Sequence, residues 1–268
     1  MRTETITSAQ NRKIKAILAL GEKSRLRREN GLFIVEGRRE ILHCINSGFE
    51  IRSLFSCPEI ISEEDEREIT ALCNEGCTLF HITAEIYGKI AYRKDNEGII
   101  AEVKLKERTL DDIRLRENPL VIVLESVEKP GNLGAVLRSA DAADADAVII
   151  CDPLTDLYNP NLIRASIGAV FTRQVVAANS KDTIKWLKDN KINIYTAQLQ
   201  DSSWYYDTNM RESTAIVMGT EADGLTQIWR DAADAHVRIP MLGSLDSLNV
   251  SVSAAILMFE AVRQRKSK

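Results

Sequence analysis

From Leu120 onward six short apolar runs recur: Leu120–Leu124, Ala147–Cys151, Arg173–Ala177, Ile192–Ala197, Thr214–Met218 and His236–Ile239. Helix-like segments separate them. A strand that is apolar on both faces must be covered on both, and strands that alternate with helices pair in parallel. Six of them in about 150 residues constrain this part of the chain to a doubly wound α/β fold.

Open α/β sheets bind ligands beyond the carboxyl ends of their strands, so three loops draw attention. The first runs from Glu125 through Lys129-Pro-Gly-Asn-Leu-Gly134 to Arg138. Pro130-Gly131 turns the chain, Asn132 is placed to cap the next helix, and Leu133, Val136, Leu137 and Ala140 form its apolar stripe. Arg138 falls off that stripe. A helix N-terminus beside an exposed arginine suits an anion such as phosphate, although alone the segment better fits an ordinary turn with a surface arginine. The second loop, Gly219-Thr-Glu-Ala-Asp-Gly-Leu225, sets Glu221 between glycines that let a ligand approach the backbone closely. The third runs from Ile239-Pro-Met241 to Ser247-Leu-Asn-Val-Ser251. It crowds Ser244, Ser247, Asn249 and Ser251 before an apolar helix carrying Val252, Ala255, Ile256, Phe259 and Val262, more polar groups than capping requires. With Gly131 and Gly134 but no G-x-G-x-x-G, a nicotinamide enzyme is disfavoured; there is no Walker motif. His43, His81 and His236 sit in helix- or strand-like contexts, against a Ser–His–Asp hydrolase.

The first hundred residues read as a smaller α/β unit. A helix from Ser8 to Leu20 places Ile14, Ile17 and Leu18 on one face. Strands are expected at 31–35, 51–55, 78–82 and 98–103, with helices at 40–45 and 63–75. The polar stretch from Lys104 to Asn118, stopped by Pro119, divides the chain into 1–104, a linker 105–118 and 119–268.

Net charge is −4, but residues 1–39 hold ten Lys or Arg against four Glu, a surplus of +6 that leaves −10 for the rest. Concentrated positive charge is the footprint of a polyanion partner, and equally of a solvated helix face. Apolar content of 44% and charged content of 28% are ordinary for a globular protein, and no apolar run approaches a membrane span. Without an apolar leader core at Met1-Arg-Thr-Glu-Thr-Ile6, a cytoplasmic protein is expected. Five irregularly spaced cysteines fit reduced thiols, and no metal site is expected.

Together the three loops resemble the SpoU/TrmH family of RNA ribose methyltransferases, within the SPOUT class. The matching positions are Asn132, Gly134 and Arg138; Gly219, Glu221, Gly224 and Leu225; then Ile239-Pro240-Met241, Ser247 to Ser251 and Glu260. Asn159-Pro160, Arg164-Ala-Ser166 and Gly168 look like a further family feature. Residues 8–38 resemble the ribosomal-protein-like substrate-binding domain of the rRNA-modifying branch; Glu128-Lys129-Pro130 departs from a common Asp-Pro. The resemblance implies a parallel sheet with a deep C-terminal trefoil knot and a homodimer through the last helix. It also implies S-adenosylmethionine held around Gly219, Thr220, Gly224, Ile239, Met241 and Leu248. Catalysis would fall to Arg138, with Asn132, Glu221, Ser247 and Asn249 orienting it or the substrate. RNA, most simply rRNA, would meet Arg12, Lys13, Arg25, Arg27, Arg28, Arg38 and Arg39. The alternatives are a tRNA 2′-O-methyltransferase and a non-catalytic RNA-binding assembly factor.

Overall fold

The computed structural model describes residues 1–92, 97–220 and 223–266. The chain forms two compact units, one of 1–107 with 156–172, the other of 108–155 with 173–268.

The first unit contains β1 (Arg2–Ile6), α1 (Arg12–Glu22), α2 (Ser24–Asn30), β2 (Leu32–Glu36) and α3 (Arg38–Asn46). It continues with β3 (Ile51–Ser56), α4 (Glu63–Leu72), β4 (Thr78–Ile82), α5 (Ala84–Ile90) and β5 (Ile99–Lys104). The strand order is β1-β4-β3-β5-β2; β1, β4 and β3 are parallel, and β5 runs antiparallel to both β3 and β2. Helix α1 starts four residues later than its sequence start signal because Asn11, not Ser8, caps it, accepting from the Lys13 amide at 2.9 Å. Its buried stripe is Ile14, Ile17 and Leu20, one turn-phase away from the expected Leu18, and it packs with Phe55, Phe80 and Ile100.

Residues 156–172, which a sequence division assigns to 119–268, pack on this first unit. Tyr158 stacks on Phe33 at 4.3 Å between ring centres, and Phe171 meets Phe49 at 5.2 Å. Gly168, at φ +81°, brings its backbone so close that a Cβ would lie 3.1 Å from the His43 ring. The Asn159-to-Gly168 feature is therefore a docking piece; Asn159 caps the short helix Pro160–Ala165 by accepting from the Asn161 amide at 2.9 Å.

The second unit contains β6 (Leu120–Glu125), α6 (Pro130–Ala142), β7 (Ala147–Cys151), β8 (Gln174–Ala178), α7 (Ser180–Asp189) and β9 (Asn193–Ala197). Then come β10 (Ser203–Trp204), β11 (Thr214–Met218), α8 (Gln227–Ala232), β12 (Ala235–Arg238) and α9 (Val250–Lys266). The sheet order is β10-β12-β9-β11-β6-β7-β8, with every neighbouring pair parallel. One face buries Val121, Val123, Ile149 and Val217 against Leu187 of α7 and Trp229 of α8. Each such side chain contributes about 1.5–3 kcal/mol. Helices α6 and α9 pack on each other, α6 burying Leu133, Val136, Leu137 and Ala140 as its spacing predicts.

Residues 108–118 are no free linker. Ile113 enters the core with Leu110 and Leu115 against it, because those three apolar residues outweigh the charges around them. Arg116 donates to Asp146 at 2.8 Å and to Asp144 at 2.5 Å. Burial pushes the Asp146 carboxyl up, but bonds from Arg116 and from the Leu120 amide at 2.9 Å overcome it and hold it below the usual range. All five cysteines are free thiols; Cys44, Cys57, Cys77 and Cys151 are buried.

Candidate active site

Because β12, β9, β11 and β6 are parallel neighbours, their carboxyl ends lie along one edge and the loops leaving them meet there. The loop after β11 closes on itself: Thr220 and Gly224 exchange two backbone hydrogen bonds, each 3.1 Å, and the Asp223 amide donates to Thr220 Oγ1 at 3.0 Å. Gly219 has to be glycine, since a Cβ there would stand 2.1 Å from the Gly224 carbonyl oxygen. Gly224 has φ +68°, a conformation that side chains resist. Glu221 lies outside the described residues.

Asn132 does not cap α6. The helix starts earlier, with Pro130 in its first turn and Lys129 before it, as proline's fixed φ favours. The Asn132 side chain is thereby left to face the third loop, where it accepts from Asn249 Nδ2 at 3.2 Å. Asn249 in turn starts α9, its Oδ1 accepting from the Ser251 amide at 3.0 Å and from the Ser251 hydroxyl at 2.6 Å. The first and third sequence loops are thus joined by side chains. Arg138, two turns further along α6, is exposed and forms no hydrogen bond or ion pair with the described residues. Ile239 and Met241 are half-buried, while Leu248 is 39% exposed. Ser247 is exposed and forms no hydrogen bond with the described residues, so the structure does not draw it to Asn132.

Sequence reasoning passed over Glu125. This last residue of β6 is 3% exposed, and its carboxylate accepts from the Thr226 amide at 2.9 Å and the Thr226 hydroxyl at 2.5 Å. It thereby pins the end of the 219–226 loop to the central strand. Ser180 Oγ lies 3.4 Å from the same carboxylate; it accepts from Trp229 Nε1 at 3.0 Å and donates to Asp152 at 2.6 Å. The available signal was an acid ending a strand that is otherwise apolar on both faces, where a charge survives only with full hydrogen bonding. Gln198, directly after β9, has a buried Oε1 with no partner among the described residues.

Known proteins align with both units. A profile of the SpoU rRNA methylase family matches residues 119–259. The chain belongs to the SpoU rRNA methylase family. A second profile, the MRM3-like substrate binding domain, matches residues 11–101. The 23S rRNA (guanosine-2′-O-)-methyltransferase RlmB of Vibrio vulnificus is 37% identical over 71% of this chain and 79% of its own length. The 23S rRNA (guanosine(2553)-2′-O)-methyltransferase RlmP of Bacillus subtilis is 28% identical over 95% of this chain and 97% of its own. The crystal structure of an AdoMet-bound rRNA methyltransferase from Sinorhizobium meliloti superposes with a TM-score of 0.90. It is 28% identical, and the superposition covers 99% of each chain.

Within the part that matches the substrate-binding profile, the seven basic residues of the sequence reading fare differently. Arg27 is a correction: it is 2% exposed, with Nε bonded to Asp156 at 2.6 Å and Nη1 to the Leu20 carbonyl at 2.6 Å. It holds α2 to the end of α1, and its burial leaves the guanidinium turned away from solvent. Arg38 is tied to Asp65 at 2.7 Å and to Glu68, which raises its already high pKa. Arg25 pairs with Glu29 at 2.6 Å, and Arg39 with Glu40 at 3.1 Å. Arg12, Lys13 and Arg28 are exposed and form no ion pair with the described residues. Lys13 Nζ sits 4.5 Å from the Phe80 ring centre.

Proposed function

We propose that the carboxyl edge of the second sheet binds S-adenosylmethionine and that the protein methylates a ribose 2′-hydroxyl of ribosomal RNA. The observation that carries this is the Asn249–Asn132 hydrogen bond, which joins the first and third family motifs beside the closed Gly219–Gly224 turn. The edge suits the cofactor. Backbone of the turn can approach a ligand at Gly224, where nothing lies within 4 Å of a Cβ position, and Gln198 Oε1, unpartnered among the described residues, is an acceptor awaiting a donor. Gly219, Thr220, Gly224, Ile239, Met241 and Leu248 would hold the cofactor, which when bound supplies an electrophilic methyl group.

The chain's own part is positioning and charge. A guanidinium stays protonated, so Arg138 serves poorly as a base. It binds the phosphate next to the target ribose and offsets charge that develops on the 2′-oxygen. Asn132 and Asn249, locked to each other, fix the first turn of α6, the helix from which Arg138 projects two turns further along. Glu221 and Ser247 complete the set by family resemblance alone.

The finer assembly follows the same reading. Helix α9 is apolar on two sides: Val250, Ala254, Leu257, Met258 and Ala261 are buried, while Val252 and Phe259, each 47% exposed, lie on the stripe that the sequence singled out. A second copy covers that stripe, giving a homodimer. The chain leaves β12 at the outer part of the sheet and returns as α9 against α6 and β11, a path compatible with a trefoil knot. No helix among the described residues is long and apolar enough to cross a membrane, in keeping with action on cytoplasmic ribosomes.

Ribosomal RNA and tRNA from a strain lacking this gene, incubated with the protein and methyl-labelled cofactor, test the reading. Label is expected in a single ribose of rRNA, and none with Arg138→Ala. Label in tRNA instead would move the substrate, and no label in either would leave an RNA-binding assembly factor.

A further inference from the structure

The first unit carries a cleft of about 410 Å³ between α1, α2 and the sheet. Its floor is polar in an otherwise apolar sheet face. Glu102 of β5, 9% exposed, lies in register with Ser53 of β3, whose hydroxyl donates to Glu102 Oε2 at 3.0 Å. No other hydrogen bond among the described residues reaches that carboxylate. Arg52 Nε stands 3.8 Å from the same oxygen with its side chain 57% exposed, a geometry that compensates a buried charge weakly. Leu32 and Phe55 form apolar walls, and Arg12, Lys13 and Arg52 rim the opening. A carboxylate 9% exposed, with one neutral hydrogen bond among the described residues, retains acceptor capacity for something else.

Resting on the reading that this protein binds rRNA, we infer that the cleft receives an unpaired guanine of the RNA, distinct from the ribose to be methylated. Three cations against one carboxylate favour an anionic ligand, and the rim is where phosphates on either side of an extruded nucleotide would lie. Single-stranded RNA is read on the Watson–Crick edges of splayed bases. Guanine alone presents two adjacent donors on that edge, N1–H and the 2-amino group, which match the two oxygens of Glu102. Adenine and cytosine present a donor beside an acceptor, and uracil a donor between two acceptors; in each case one carboxylate oxygen would face an acceptor or nothing. The apolar walls take the ring faces.

The experiment uses the full-length protein and fluorescently labelled five-nucleotide RNAs that differ in the central base, guanine against adenine, in a uridine background. Anisotropy should show the guanine oligomer bound about tenfold tighter, the worth of charge-assisted hydrogen bonds that only one base completes. Glu102→Gln, which keeps the shape but offers one acceptor and one donor, should abolish the preference while S-adenosylmethionine affinity stays at the wild-type value. Arg12→Ala with Lys13→Ala should weaken both oligomers alike and leave the preference. Equal binding of the two oligomers, or a preference that survives Glu102→Gln, would overturn the inference. Methyl transfer to rRNA, assayed on the same preparations, separates the failures: activity without guanine preference sinks the cleft alone, and absence of activity sinks the functional reading itself.

Discussion

In the second unit every neighbouring strand pair is parallel, so the loops after β12, β11 and β6 come out along one edge and their side chains bond to one another. In the first unit β5 runs against both of its neighbours, so strand-end loops are shared between two opposite edges. There Arg12, Lys13 and Arg28 project from helices and Arg52 from β3, and the cleft opens on the face of the sheet. Strand direction thus decides where each unit can do chemistry. A parallel sheet concentrates backbone turns at a point, which suits a small cofactor and a reacting atom. A mixed sheet offers a face and a charged helix surface, which suits a long polyanion.

Substitutions can break that division or sharpen it. The largest effect is expected at Arg27, which looks like an RNA contact by charge but is a buried strut. Arg27→Ala leaves Asp156 unpaired and should cost about 3–5 kcal/mol in urea unfolding of the first unit. A fall in RNA affinity without loss of stability would contradict the buried role. Next, Arg138→Ala should lower methyl transfer by about 10²–10³-fold with unchanged cofactor affinity, and Arg138→Lys should recover little, since a point charge cannot replace a bidentate fork. Nearly full turnover in the lysine variant would remove the phosphate contact from the mechanism. Glu125→Gln keeps the shape of the clamp on Thr226 but weakens charge-assisted bonds worth about 1.5–3 kcal/mol. Calorimetry should show cofactor binding about tenfold weaker, with RNA binding by the first unit untouched.

Acid separates the units more gently. Asp144 is held below its ordinary 3.8 by bonds from Arg116 and Arg173, and Asp146 is lowered despite its burial. Carboxyls with depressed folded-state pKa contribute stability that is present above 3.8 and lost as pH falls through their folded values. Thermal melts from about pH 5 down to pH 2 should therefore converge for the wild type and Asp146→Asn, which differ at neutral pH. The smallest effect belongs to Arg28→Ala. Stability should hold, and the slope of log affinity against log salt should shrink by about 1.

Much of the second unit was legible because its strands are apolar on both faces and its turns carry Gly, Pro and Asn. Less of the first was. Strand β1, Arg-Thr-Glu-Thr-Ile, buries only Ile6, so it shows little apolar signal, and α2 has a single apolar residue, Leu26. In the basic run Arg25-Leu-Arg27-Arg28 charge does not say which arginine turns inward; only the packing of α2 on α1 does. The packing of residues 108–118 and 156–172 was hidden for a related reason. Their few apolar side chains, Ile113 and Phe171 among them, find partners distant in sequence that no local periodicity reveals. At the site, the spacing of Asn132 in a turn gave it a capping role, whereas Pro130 had already started the helix. Glu125 gave no motif because its work is to hold a loop about a hundred residues away.

Both margins of the seven-stranded sheet carry a device that shortens the free edge. On one side β8 is lined by Arg114, whose amide and carbonyl bond to the Gln174 carboxamide at 2.8 Å and 2.7 Å, a side chain imitating a neighbouring strand. On the other, β10 is only two residues long. A flat, greasy ribbon with free borders would invite intermolecular stacking into fibrils. Here a peptide pinned at the start of β8 and a two-residue strand shorten both templates, so cutting the Gln174 latch should speed amyloid-like growth in concentrated protein.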